Sequence, residues 1–127
     1  MIIKKILCVE DDPDIQTMIK LSLKFKGGYK VILAGDGFSG IEMAEKENPD
    51  VILLDVMMPE LDGYETCKRL KANPLTKDIP IIFLTAKVQE KEIKKGLEMG
   101  AIGYLTKPFD PMTIKDELEA VVERAED

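Results

Sequence analysis

Histidine is absent from all 127 residues, which removes imidazole catalysis and histidine-ligated metals from consideration. Any metal must then be held by oxygen ligands, leaving magnesium, calcium or manganese as candidates. Cysteine is scarce: Cys8 falls inside an apolar run and Cys67 within a helical pattern. The pair shows no metal-ligand spacing and no disulfide framework, so both read as reduced core thiols of a cytoplasmic protein. No apolar run approaches the ~20 residues that cross a bilayer, and no membrane insertion is expected. The opening "MIIKK" runs straight into a strand-like segment, so no signal peptide is expected either.

Basic residues are the minority, 18 against 24 acids for a net charge of −6. That balance speaks against a general nucleic-acid-binding surface. A hydrophobic fraction of 45% with 33% charged residues is that of an ordinary globular chain. The length suits one domain, residues 1–127, with a full core.

Short apolar runs alternate with amphipathic stretches. "KKILCVE", "YKVILA", "DVILLD", "PIIFLTA" and "GYLTK" are strand candidates, rich in Ile, Val and Leu and bounded by Gly, Pro or Asp. Between them, Ile15, Met18, Ile19 and Leu23 recur at helical spacing, as do Ile114, Leu118, Val121 and Val122. Phe38, Ile41 and Ala44 predict a second helix, and Cys67 and Leu70 sit on a third. The stretch from Gln89 to Met99 has the thinnest apolar anchoring, chiefly Ile93 and Leu97. Asp12–Pro13 and Asp110–Pro111 each predict a helix start, an N-cap followed by proline at the first helical position. "KGG" at residues 26–28 stops the first helix. Five strands alternating with five helices imply an α/β fold around a mainly parallel sheet, with helices on both faces.

In such a sheet the strands' carboxyl ends share one edge, where ligands bind. The first strand ends in Glu10 and Asp11, the third in Asp55, the fourth in Thr85 and the fifth in Lys107. The second ends blandly in Ala34 and Gly35, as an edge strand would. Three carboxylates this close raise one another's pKa. A divalent cation and one ammonium would neutralise them, and magnesium suits such a set best. A carboxylate beside magnesium and lysine is also suited to accept a phosphoryl group as an aspartyl phosphate.

The acidic pair, "DVMMPELDG", "LTA" and "YLTKPF" occur in that order, with 44 residues from Asp11 to Asp55, 30 more to Thr85, and 52 from Asp55 to Lys107. Over essentially its whole length the chain resembles the receiver domains of bacterial two-component response regulators. The resemblance implies a flavodoxin-like (βα)5 three-layer sandwich with strand order 2-1-3-4-5 and a cis Lys107–Pro108 bond. It implies Asp55 as phosphoacceptor, with Lys107 contacting the phosphoryl group. Thr85 would be the switch hydroxyl and Tyr104 the aromatic that turns inward on activation. Asp11, Asp55 and the Met57 carbonyl would hold Mg2+ directly, or Mn2+ in its place, and Glu10 would hold it through water.

The implied function is a signalling switch of a phosphorelay rather than a conventional enzyme. Its phosphate would come from a sensor histidine kinase or a histidine phosphotransfer protein, and its output would be contact with a downstream protein through the fourth helix, fifth strand and fifth helix. Because the chain ends soon after the fifth helix with "VVERAED", a stand-alone switch is expected; the alternative is a receiver cut from a larger, for example DNA-binding, regulator. The second residues after Asp55 and Thr85 tune the family's chemistry. Here they are Met57 and Lys87, neither suited to orient an attacking water, so a long-lived phosphoaspartate is expected.

Other readings are weaker. Asp12, next to Pro13, reads as a helix cap before it reads as a metal ligand. The seven methionines, Met57 and Met58 included, read as core filler. Thr85 alone would be a strand former, and Tyr104 alone a half-buried strand tyrosine. "EKEIKK" reads as a solvated helix face. A haloacid-dehalogenase-like phosphatase would want an aspartate where Met57 stands, and an FMN-binding flavodoxin would not place "EDDPD" against a phosphate.

Overall fold

The computed structural model describes residues 2–86 and 89–126. Strands and helices alternate: β1 (Lys5–Val9), α1 (Pro13–Gly27), β2 (Lys30–Ala34), α2 (Gly37–Glu47), β3 (Val51–Asp55), α3 (Gly63–Ala72), β4 (Ile81–Thr85), α4 (Glu90–Glu98), β5 (Gly103–Thr106) and α5 (Ile114–Glu126). The strands pair in parallel in the order β2-β1-β3-β4-β5. β2, with its bland end, is indeed an edge strand.

Alternation along the strands divides the interior into two layers. Ile6, Cys8, Leu53, Ile82, Leu84 and Leu105 face α1 and α5, meeting Ile19, Leu23, Ile114 and Leu118. Leu7, Val9, Ile52, Leu54, Ile81 and Phe83 point the other way, toward Ala44 of α2 and Cys67 and Leu70 of α3. The parallel register keeps each layer on one side, with Cys8 opposite Leu53 and Leu53 opposite Ile82. Each fully buried Leu or Ile contributes ~1.5–3 kcal/mol relative to exposure, so the three central strands hold the sheet-edge residues rigidly.

Helix ends follow local chemistry. The Asp12 carboxylate accepts from Asp14 N at 2.9 Å and Ile15 N at 3.5 Å, with Pro13 opening α1. Gly28 closes it in the left-handed conformation, φ 69°. Asp36 and Asp62 cap α2 and α3 in the same way. Among the described residues α4 has no side-chain cap, and Gly96 is its only buried residue.

The predicted second helix is present, and Phe38 at its start is half exposed, its ring centre 5.6 Å from the Arg69 guanidinium. Three expectations are corrected. Leu97 is 49% exposed; α4 packs through Gly96 and the half-buried Ile93 instead. Met57 projects into solvent, 64% exposed, whereas Met58 is buried. Asp110–Pro111 opens a hydrogen-bonded turn, and the regular helix begins only at Ile114. One contact is local and one is not: Asp110 accepts from Met112 N through its side chain, and the Pro111 carbonyl accepts from the Ser22 hydroxyl of α1.

Candidate functional site

Val9 of β1 lies opposite Leu54 of β3, so the residues that follow, Glu10 and Asp55, emerge side by side. Thr85 ends β4 opposite Thr106 of β5, and the Lys107 N–H donates to the Thr85 carbonyl at 2.8 Å. The Lys107–Pro108 bond is cis. Lys107 turns back over the sheet edge, its ammonium 2.9 Å from Glu10 Oε1 and 3.0 Å from Asp55 Oδ1.

Glu10 is fully buried and Asp55 is 2% exposed. Burial pushes the Glu10 carboxyl up to about 7, with Lys107 and the Asp12 N–H pulling the other way. Asp55 is raised for the same first reason, against Lys107 and the Met57 N–H, which donates to Oδ1 at 3.3 Å. Burial alone would lower the Lys107 ammonium, but its two carboxylates together raise it. Beneath them Cys8 stays a thiol, its pKa raised chiefly by burial and then by Glu10 and Asp55. One ammonium is thus shared by two buried acids, and among the described residues Glu10 Oε1 is ion-paired to it without an aligned hydrogen bond.

Asp11 is exposed and brings a third carboxylate to the edge. Oxygens of Glu10, Asp11 and Asp55 lie within 4.8 Å of one another. Ligands of one octahedral magnesium stand ~3–4 Å apart, so small side-chain movements would let this set grip such an ion. All the donors are hard oxygens, which suits magnesium or manganese. Glu10 Oε1 meets the Lys107 ammonium as an ion pair, and an added cation, or a water on it, would supply the further partner that a buried carboxylate oxygen can take.

Thr85 is buried at the end of β4. Tyr104, half-buried and opposite Phe83, shares a small cavity with Thr85, Tyr64 and Ile93. Lys87, named in the sequence reading, lies outside the described residues.

Two contributors escaped the sequence reading. Gly63, first residue of α3, lies so close to the end of β3 that a Cβ there would fall 2.2 Å from the Asp55 carbonyl oxygen; its own N–H donates to the Val56 carbonyl at 2.9 Å. A glycine directly after the Asp62 cap, where the helix has no need of one, was the available signal. Gln16 of α1 donates from its side-chain amide to the Glu10 carbonyl. Nothing in the local pattern marked it.

The model of the response regulator receiver domain family matches residues 6–119. Among curated proteins, the alkaline phosphatase synthesis transcriptional regulatory protein PhoP of Bacillus subtilis is 46% identical over 123 residues, 97% of this chain but 50% of that protein. The chain thus spans about half the length of that relative. Among solved structures, chemotaxis protein CheY4 of Vibrio cholerae superposes with a TM-score of 0.87 at 35% identity, covering 94% of this chain and 99% of that one. A sensor histidine kinase receiver domain from Pseudomonas aeruginosa, with a magnesium ion coordinated in its active site cleft, gives 0.81 at 36% identity and 97% coverage of both.

Proposed function

Because the chain belongs to the family of response regulator receiver domains, we propose that it is a phosphorylation-controlled switch whose phosphoacceptor is Asp55. The observation that carries the reading is the Lys107 ammonium held within 3.0 Å of both buried carboxylates, Glu10 and Asp55. Asp11, Asp55 and the Met57 carbonyl are the groups to hold Mg2+, with Glu10 acting through water. When bound, the ion supplies positive charge for the carboxylates and for the phosphoryl oxygens.

The chain's own groups do the rest. An Asp55 carboxylate oxygen attacks phosphorus in line as the bond to the donor's imidazole nitrogen breaks; that nitrogen keeps the electron pair, and the proton on the ring's other nitrogen leaves histidine neutral on the kinase or phosphotransfer protein. Lys107 is freed from its two carboxylates to meet a phosphoryl oxygen. The Thr85 hydroxyl donates to another, drawing Tyr104 toward the cavity it borders. The α4–β5–α5 surface then changes for a downstream protein, in the cytoplasm and without direct nucleic-acid contact by residues 1–127, which form one receiver domain.

The test is exposure to acetyl phosphate and Mg2+ with intact mass as readout. Wild type gains one phosphoryl group and Asp55→Ala does not; equal gain in both would remove the assignment. A second reading, that the chain is the receiver portion of a longer regulator, is favoured by its spanning half of its PhoP relative. Whether the gene's reading frame continues past the Asp127 codon separates the two.

A further inference from the structure

Glu10 lies one residue past both ladders of β1, whose pairing ends at Val9 with Ala34 on one side and Leu54 on the other. Its N–H still reaches the Ala34 carbonyl at 3.0 Å, but its own carbonyl has left the sheet and takes the amide of Gln16 instead. A carbonyl only accepts, so Gln16 must present its NH2 there. Gln16 is itself fixed in the first turns of α1, where its N–H donates to the Asp12 carbonyl at 3.0 Å. Asp12 in turn donates its N–H to Glu10 Oε2 at 3.1 Å. Glu10, Asp12 and Gln16 therefore close a ring of hydrogen bonds around Asp11. The Glu10 carbonyl and the Asp11 nitrogen share one rigid peptide plane, so pinning that oxygen sets the rotation of the unit from which the Asp11 side chain departs.

We propose that Gln16 is a positioning residue for divalent-cation binding, orienting the exposed Asp11 carboxylate toward Asp55 through the Glu10–Asp11 peptide. This rests on the reading of Asp11 and Asp55 as cation ligands. It adds a residue that touches neither the ion nor the phosphoryl group. Without the side-chain donor the peptide can rotate, and the carboxylate spends less of its time where the other oxygens wait.

The test is calorimetric titration of the full chain with Mg2+ and with Mn2+, for wild type, Gln16→Met and Gln16→Asn. Methionine keeps length and removes the donor; asparagine keeps the donor and shortens its reach. Both variants weaken each cation about tenfold, the low end for residues that orient ligands. With acetyl phosphate, the Mg2+ concentration for half-maximal phosphorylation rises by the same factor while the plateau rate stays that of wild type. Lower melting temperatures in EDTA with unchanged cation affinity would mean that Gln16 only supports the fold, overturning the inference alone. No cation uptake by wild type would overturn the cation reading and this inference together.

Discussion

The Tyr64 hydroxyl donates a 3.0 Å hydrogen bond to Glu92, tying α3 to α4 beside the cavity that Thr85 and Tyr104 share. The Lys95 ammonium lies 4.1 Å from the centre of the same ring, and Phe83 meets it edge-on at 5.3 Å. For a helix with one buried residue and no side-chain cap, this tyrosine is a large share of what holds it.

Burial first, and then the Glu92 carboxylate, push the Tyr64 hydroxyl up to about 12. The folded protein thus keeps a proton that the unfolded chain releases near pH 10, so this contribution to stability is intact below pH 10 and disappears as pH rises to about 12. Tryptophan is absent, so absorbance at 295 nm reads tyrosinate cleanly. Tyr64→Phe removes one late-ionising step from that titration. Glu92→Gln moves it toward 10 without reaching it, because burial is the larger cause. Loss of an ordinary step near pH 10 on Tyr64→Phe, with the late-ionising amplitude unchanged, would contradict the contact.

Thin anchoring also predicts where phosphorylation is felt. With one buried residue, α4 is expected to be a low-stability element of the fold, and its amides should exchange faster than those of β1, β3 and β4 before phosphate is added. Acetyl phosphate with Mg2+ then changes protection in Glu90–Glu98 by more than about threefold, a sub-kcal/mol shift in local opening, while Ile52–Leu54 stay unchanged. Mass-resolved hydrogen exchange checks this, and equal α4 protection in both states would rule it out.

Gly63 sets how closely α3 approaches the end of β3. Because a Cβ would meet backbone, the Asp55 carbonyl oxygen at 2.2 Å, no flexible side chain can move aside. Gly63→Ala must displace either the start of α3 or Asp55 itself. We expect a loss of about 1–3 kcal/mol in urea unfolding, the usual cost of overpacking. Phosphorylation should slow as well, since a displacement near 1 Å at a reacting group can cost ~10²-fold. Wild-type behaviour on both counts would show that the approach is loose.

Much of this architecture could be read from the chain before folding. Unbroken apolar runs such as "ILCV" and "VILLD" mark strands of a parallel sheet covered on both faces, and the strands are there, their residues divided between two layers. Once the strands are known to be parallel, Glu10, Asp55, Thr85 and Lys107 must gather at one edge. Helical periodicity is less informative, because it gives the direction of a face and not its width. Phe38 and Leu97 lie at the rims of their apolar stripes, and only the neighbouring helices decide that they stay half in water. Gln16 was invisible for another reason: its partner is a main-chain carbonyl six residues back, and main-chain partners leave no trace in residue type. The cap reading of Asp110 identified the bonding group and missed the diversion of the Pro111 carbonyl to Ser22.

Asp12 is the acid whose two readings the structure separates. Its carboxylate oxygen is engaged by Asp14 N and Ile15 N, and the carboxylate trio at the edge consists of Glu10, Asp11 and Asp55. Asp12→Ala should therefore cost about 1 kcal/mol of stability, a typical capping loss, and leave Mg2+ affinity within about twofold of wild type. Asp11→Asn should do the reverse, with little effect on unfolding and a loss of Mg2+ affinity beyond tenfold, as expected when one of few charged ligands is removed. Denaturation in EDTA and calorimetry with Mg2+ measure the two effects independently.

The lifetime of the phosphorylated state follows from what stands next to Asp55. Hydrolysis needs a water lined up behind the phosphorus, and a neighbouring amide or carboxylate side chain can hold it there. Met57 offers a thioether instead, 64% exposed and directed into solvent, which neither accepts a proton usefully nor fixes a water. Phosphate on Asp55 should thus persist in the isolated domain. Met57→Glu or Met57→Asn should shorten its half-life about tenfold or more, the low end of what a positioned base or water-orienting group contributes. Burial of the Met57 side chain is not part of the native packing, so these substitutions leave the core intact and their effect can be assigned to chemistry. Decay of phosphorylated wild type and variants by intact mass, after removal of the donor, gives the ratio directly; a wild-type half-life as short as that of Met57→Glu would show that the water is positioned by some other group.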